Sequence, residues 1–322
     1  MRGEKNPLDP KSEAASGVFH LLSLLWRRNG LWLFLLMGAL AGLAGAQTFT
    51  TYSATWNGFT RLYSIYTPAV VQPAPALVMA LHQTTNGPSS NPPLTVCTRG
   101  EGWDKLANMY GFLVLCPIAT YKAFGTSGAF FWQAYSTDSY FPTDPDDSGY
   151  LASLIVTMEA NYGVDPAHVF VAGMSSGGMM TQRMCIDHAD LVAACAPVSG
   201  TVWVGTPTSN LPVQPVSILE FHGDIDPLIR YCGGLFYGWG ESLIVTPSMD
   251  TDVNYWLAAD GLPANPTALC TGAGQPSGVL SIDVKSADGK IEVEFQRELN
   301  TAHTFGPELA PAMWQFFSSH GR

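Results

Sequence analysis

Apolar and polar residues fall into two regimes along the chain. Alternation over residues 51–56, the turn pair Asn57-Gly58 and a second alternating run over 61–66 predict a β-hairpin. Beyond it, short continuous apolar runs take turns with stretches of helical period. Residues 76–81, 112–116, 168–172, 191–197 and 217–221 read as buried strands. Residues 103–110, 149–162, 177–186, 249–259 and 309–318 read as helices, the second with Leu151, Leu154, Ile155 and Met158 on one stripe. A hairpin from 279–284 to 291–295, turned at Asp288-Gly289, precedes the last helix. Repeated βα units in this order predict an α/β fold, a mainly parallel sheet wrapped on both faces by helices. The stretches 83–101, 119–147 and 201–215 are loops long enough to carry function.

One apolar run belongs to neither regime. Arg27 and Arg28 precede an unbroken apolar stretch over 31–43, and Ala44-Gly45-Ala46 then offers a small-x-small cleavage pattern. Residues 1–46 are therefore expected to be an export signal, with residues 47–322 as a single catalytic domain. The apolar stretch is shorter than the roughly 20 residues of a spanning helix, so no stable membrane anchor is expected. The arginine pair leaves open whether export follows the general or the twin-arginine route. Composition agrees with a folded, loop-rich chain: 47% of the 322 residues are hydrophobic and 13% charged, with 32 glycines and 23 prolines. The net charge is -11, and residues 47–322 hold 10 basic and 23 acidic side chains, or -13. An acidic surface excludes nucleic acid bound through its phosphates, which needs a basic face.

All six cysteines follow residue 46, and an even count in an exported chain points to disulfides. Cys232 with Cys270, then Cys97 with Cys116, are the preferred pairs, since they stand at predicted loops or strand ends. Cys185 and Cys195 lie in apolar helix and strand patterns and read as buried free thiols. No Cys or His cluster has metal-ligand spacing, so neither metal nor cofactor is expected.

The sharpest chemical feature is Gly173-Met174-Ser175-Ser176-Gly177-Gly178, directly after the strand 168–172 and directly before a helix. Small residues on both sides let the backbone turn sharply and lift Ser175 clear of the sheet, as a nucleophile elbow requires. A glycine-rich turn that only packs, or one that cradles phosphate, is the competing reading. The chain has no GxGxxG fingerprint and no P-loop lysine here, which favours catalysis. A serine hydroxyl needs a base, and the base an orienting carboxylate, in the order Ser, Asp/Glu, His at later strand ends. His222-Gly223-Asp224-Ile225-Asp226 follows the strand 217–221, and Ala302-His303-Thr304 lies between the last strand and the last helix. Spacing alone leaves Asp224 and Asp226 open. His168, at the start of a strand, and His188, after the elbow helix, read as structural. His82 ends a strand but precedes the serine, and is expected to shape an oxyanion loop.

The stretch 147–200, with VDPAHVFVAGMSSGGMMTQRM at its centre and APVSG at its end, resembles the secreted esterases that group polyhydroxybutyrate depolymerases with feruloyl and acetylxylan esterases. The likeness continues through His222-Gly223-x-x-Asp226, Tyr231, Gly233-Gly234 and Ala302-His303-Thr304, and covers most of residues 60–318. It implies an α/β-hydrolase fold and a triad of Ser175, Asp226 and His303, with Asp224 left to a loop or hydrogen-bonding role. It also implies an oxyanion donor in a His-Gly-x loop, which here reads His82-Gln83-Thr84. With Gln in place of Gly the donor lies between the amides of Gln83 and Thr84, Thr84 being preferred, and the second donor is the amide of Ser176.

Phe130, Phe131, Trp132, Tyr135, Tyr140 and Phe141 crowd the loop before the elbow. The resemblance places a family tryptophan near Trp132 as a wall of the substrate site, and Trp203 is a second candidate contact. An acidic, aromatic-lined esterase suits a neutral ester substrate: feruloylated plant polysaccharide first, acetylated xylan next, a polyester as the close alternative.

Overall fold

The computed structural model describes residues 45–90, 92–124, 127–134, 146–202, 211–237 and 243–322. The segment read as an export signal, up to residue 44, lies outside them, as do Trp203, Tyr135, Tyr140 and Phe141. Residues Gln47–Arg322 pack as one compact unit.

Its centre is a nine-stranded sheet. The strands in chain order are β1 (Thr48–Trp56), β2 (Phe59–Thr67), β3 (Leu77–Leu81), β4 (Leu113–Pro117), β5 (Val169–Met174), β6 (Ala194–Val198), β7 (Ser217–Gly223), β8 (Ser281–Lys285) and β9 (Glu292–Glu298). Their order across the sheet is β1-β2-β4-β3-β5-β6-β7-β9-β8. The inner run from β4 to β9 is parallel, while β1, β2 and β8 pair antiparallel at the two edges. Every residue of β3 to β7 is buried, because helices cover both faces and no position is left for water. The first hairpin closes Trp56 on Phe59, with Asn57 and Gly58 both at positive φ (47° and 84°), the twist that a two-residue turn needs.

Among the described residues, five helices flank the sheet: α1 (Trp103–Tyr110), α2 (Asp147–Tyr162), α3 (Ser176–Asp187), α4 (Met249–Ala259) and α5 (Leu309–Phe317). Side chains alternate between two cores. Val78, Ala80, Phe170 and Ala172 meet α1 and α5 through Trp103, Met313 and Phe317. Leu77, Met79, Leu81 and Val171 meet α2, α3 and α4 through Leu154, Met180 and Trp256. The result is a three-layer α/β/α sandwich.

The predicted elements all form, with boundary shifts of a few residues. Extra structure sits in the long loops. Thr85–Asn86, Ser127–Phe130 and Tyr121–Phe124 make a small three-stranded sheet, and Gly234–Tyr237 pairs with Leu243–Thr246 as a ribbon. A turn of π-helix spans Val96–Gly100. These pieces are too short to show a period.

The cysteines form Cys97–Cys116 and Cys232–Cys270, as expected. Cys185 and Cys195 are not free thiols. They form a third pair, with Cα atoms 6.6 Å apart, because the last turn of α3 lies directly over β6. The apolar setting that suggested buried thiols is what hides this disulfide between two core elements.

One buried charge pair ties the sheet to α2. Arg61 on β2 meets Asp147 at 2.6 Å, with side chains 1% and 0% exposed. The guanidinium also lies 4.1 Å over the Tyr150 ring and donates to the Ile118 carbonyl, while Asp147 accepts from the Gln133 amide. Removing one partner leaves the other charge buried and unpaired. Arg61→Ala should therefore lower unfolding free energy by about 3–5 kcal/mol, read by denaturant titration. A loss below about 1 kcal/mol would show that the pair is not a structural tie.

Candidate active site

β5 must pass into α3 without a loop. Ser175 takes the whole change of direction, at φ 56° and ψ -120°, a region costly for any residue with a Cβ. What holds it there is crowding. A Cβ on Gly177 would meet the carbonyl oxygens of Leu81 and His82, the latter at 2.7 Å. The Ser175 amide hangs on the Val198 carbonyl at 2.9 Å, and its own carbonyl accepts from Met179 at 2.9 Å. The first turn of α3 is thus pressed against the ends of β3 and β6, and the Ser175 side chain stays partly exposed.

On the next strands along, the structure brings Asp226 and His303 together. His303 Nδ1 donates to Asp226 Oδ2 at 2.6 Å. The other oxygen, Oδ1, accepts from the amides of Leu228 (2.8 Å) and Ile229 (3.0 Å). Burial pushes this carboxyl upward, but the hydrogen bond and charge of His303, with His222 and the Leu228 amide, outweigh it and hold Asp226 below the usual carboxylate value. Asp224, two residues earlier, is spent elsewhere: Arg297 Nη2 and Nε donate to its Oδ2 at 2.8 and 3.1 Å. His222, which motif reading passed over, lies fully buried with Nε2 3.7 Å from Asp226 Oδ2. That nitrogen donates to the Ile229 carbonyl at 2.7 Å, and burial lowers the ring's pKa, so the ring is neutral. The i, i+4 spacing of His222 and Asp226 was the available signal.

The loop after β3 carries the expected oxyanion residues. His82 is 2% exposed, donates from Nδ1 to the Gln83 carbonyl and accepts the Ala119 amide at Nε2. Thr84 reaches across, its hydroxyl donating to Ser176 Oγ at 3.1 Å, which fixes the loop against the start of α3. Among the described residues, no acceptor takes the backbone amides of Gln83, Thr84 or Ser176. Trp132 departs from the expectation of a substrate wall. It is 1% exposed, its Nε1 donates to the His82 carbonyl at 2.8 Å, and its ring packs on the His82 ring at 5.2 Å. The indole props the loop after β3 from behind. His168 and His188 are engaged by Asp165 and Ser148, as structural histidines.

A serine lifted at a strand–helix turn, with a His–Asp pair at later strand ends of the same parallel sheet, is the arrangement of one large superfamily. The chain has the α/β-hydrolase fold. Solved structures that share this fold include an acetyl xylan esterase from Aspergillus awamori (TM-score 0.56, 19% identity, 84% of this chain and 99% of that one). Another is the feruloyl esterase module from Clostridium thermocellum (TM-score 0.51, 14% identity, 85% and 88%). No protein-family model matches the chain. In sequence it is similar to the acetylxylan esterase of Coprinopsis cinerea, 34% identical over 151 residues, which are 47% of this chain and 37% of that protein. A probable acetylxylan esterase A of Neosartorya fischeri is 30% identical over 154 residues, 48% and 38%. A bifunctional acetylxylan esterase/xylanase of Neocallimastix patriciarum is 26% identical over 201 residues, 62% and 26%. The chain thus spans about a quarter to two fifths of the length of the curated relatives it matches.

The neutral, buried His82 generates a stability prediction. Desolvation lowers its pKa from 6.5 to about 4, partly opposed by the bond to Gln83. A depressed pKa means that the unfolded chain binds the proton first, so the contribution is complete above pH 6.5 and is lost as pH falls toward 4. Denaturant titrations at pH 7 and pH 4 should show the wild type losing roughly 3 kcal/mol more than His82→Gln. Parallel losses would mean that His82 titrates normally.

Proposed function

We propose that the chain is a secreted serine carboxylic ester hydrolase that acts on esterified plant polysaccharide, with acetyl esters as its leading substrate. The single observation that carries the reading is the 2.6 Å His303–Asp226 pair, which follows later strands of the same sheet whose strand-to-helix turn holds a serine at positive φ. In this reading Ser175 Oγ attacks the ester carbonyl carbon while His303 Nε2 takes the hydroxyl proton. Asp226 holds the imidazole by Nδ1 and stabilises the cation that forms. The oxyanion rests on the amides of Thr84, or of the neighbouring Gln83, and Ser176. His303 then returns the proton to the leaving alcohol, and water resolves the acyl-enzyme by the same steps in reverse. Each lost oxyanion donor would cost about 2.7–4 kcal/mol of transition-state stabilisation.

Two observations support acetyl over feruloyl esters. The similar sequences carry acetylxylan esterase names, and Trp132 is buried beneath the loop rather than offered as an aromatic wall. Three disulfides fit an oxidising, extracellular destination, as does the export-type segment over residues 1–46.

Ser175→Ala should leave the fold intact by circular dichroism and lower kcat on the order of 10⁴-fold or more. An organophosphate should label Ser175 in the folded protein, and failure to label would sink the serine mechanism. One preparation assayed on acetylated xylan, methyl ferulate and a hydroxybutyrate oligomer should release acetate fastest. Turnover of the hydroxybutyrate ester alone would overturn the polysaccharide assignment, and turnover of methyl ferulate alone would overturn the preference for acetyl.

A further inference from the structure

Behind the elbow lies a second set of ionisable groups that the mechanism above does not use. Glu220 on β7 and Asp252 on α4 are 2% and 0% exposed, and one side-chain amide reaches both carboxyls. Two carboxyls share one dry site, and among the described residues neither makes an ion pair. Gln182 on α3 sits between them. Its Nε2 donates to Asp252 Oδ2 at 3.0 Å and to the Gly200 carbonyl at 2.7 Å, with Glu220 Oε1 at 3.5 Å, and its Oε1 accepts from Trp256 Nε1 at 2.8 Å. Asp252 Oδ1 accepts the Val202 amide at 3.0 Å. The cluster therefore grips the backbone on both sides of Thr201, immediately after β6.

That segment is what the elbow leans on. Ser199 is held at φ 46°, and its amide donates to Phe221 at 2.9 Å. A Cβ on Gly200 would lie 2.7 Å from the Ser175 carbonyl. Movement of Gly200–Val202 would be passed to the serine backbone by contact, with no substrate contact from the acids themselves.

We infer that Glu220 and Asp252 are positioning residues for Ser175: one shared proton keeps the pair at a single negative charge, and in that state the pair clamps the Gly200–Val202 segment against the elbow. Two adjacent dry carboxylates would repel each other, so one must stay protonated. Glu220 is the holder: burial, then the charge of Asp252, push it well above the usual carboxylate range. Asp252, with acceptors filled by Gln182 and the Val202 amide, is raised by burial to about 6. Among the described residues, the groups facing the pair supply no cation to it: they are Tyr231, with Arg297 5.6 Å over its ring, Tyr255 on α4, and His222, neutral, two residues along β7.

Glu220 has a raised folded pKa, so its contribution is complete below its unfolded value of 4.5 and is lost as pH rises through the folded one. Deprotonation should loosen the segment and lower kcat on the alkaline side. The kinetic half of this inference rests on the esterase reading; the protonation half does not.

The test uses the full chain, the near-isosteric Glu220→Gln and Asp252→Asn, denaturant titrations from pH 5 to 9, and p-nitrophenyl acetate kinetics. Wild-type folding equilibrium constants should fall by up to about tenfold per pH unit relative to Glu220→Gln across the titration. Infrared spectra should show a protonated-carboxyl band in the wild type that Glu220→Gln lacks. The wild type should lose kcat with little change in KM toward alkaline pH, and Glu220→Gln should lack that fall. Asp252→Asn should lower kcat by about tenfold to hundredfold at nearly constant KM. Parallel stability curves, or wild-type kcat in Asp252→Asn, would overturn the inference. Should Asp252→Asn fail to fold, Glu220→Gln decides alone. A wild type inactive on every ester would remove the esterase reading, and the stability and infrared arms would still decide whether the proton is shared.

Discussion

The closeness of backbone to backbone at the start of α3 is the constraint on which the site depends. Gly177 stands where any side chain would strike the Leu81 and His82 carbonyls, so the helix can begin against the ends of β3 and β6 only with glycine there. Pressed this close, the chain has no room for a connecting loop, and Ser175 must take the turn at φ 56°. The same contact sets the neighbours. It brings the Ser176 amide, at the positive end of α3, beside the loop after β3, and lets Thr84 reach the Ser176 hydroxyl. Loop, helix start and strand end are positioned by one crowded junction.

Much of this was legible because parallel strands, dry on both faces, write continuous apolar runs, and glycines at a strand–helix joint advertise a tight turn. The turn at Ser175 could be read that way, and the strand ends placed the segments 222–226 and 302–304, while the choice of Asp226 over Asp224 came from the family resemblance alone. The less legible parts share a physical reason: they depend on what lies across the sheet rather than along the chain. Cys185 and Cys195 look like core residues and are core residues, and only the seating of α3 on β6 reveals their pairing. Trp132 sits among aromatics that suggest an open wall, yet its indole N–H finds the His82 carbonyl and the ring is buried. Glu220 and Asp252 carry no motif, since their cluster draws on β7, α3, α4 and the segment after β6. The short strands in the long loops gave no period because two to four residues cannot show one.

The groups behind the active edge are arranged around a shortage of charge. His82 and His222 are buried and stay neutral, each spending one ring N–H on a backbone carbonyl. Glu220 and Asp252 bury two acids with no ion pair among the described residues. Asp226 has what an ionised carboxylate needs there without an arginine or lysine: two amides on one oxygen and an imidazole N–H on the other. A buried charge without such partners would neutralise itself by shifting its pKa. The bond from Asp226 to His303 Nδ1 fixes the tautomer of that imidazole.

β7 is where these requirements meet. It lies between β6 and β9, so its C-terminal end faces both the elbow's neighbour and the strand that leads to His303. Glu220 and His222, two residues apart, point the same way from it. One bonds into the cluster that holds Gly200, and the other bonds to Ile229, whose amide in turn supports Asp226. Past the strand end, Asp224 and Asp226 divide by the same logic. The first turns to Arg297 on β9 and pins the loop, which frees the second from any cation and leaves it to His303. A change in the register of β7 would therefore disturb Ser175 through Gly200 and His303 through Asp226 at once, and the two halves of the site stay matched because a single buried strand carries both.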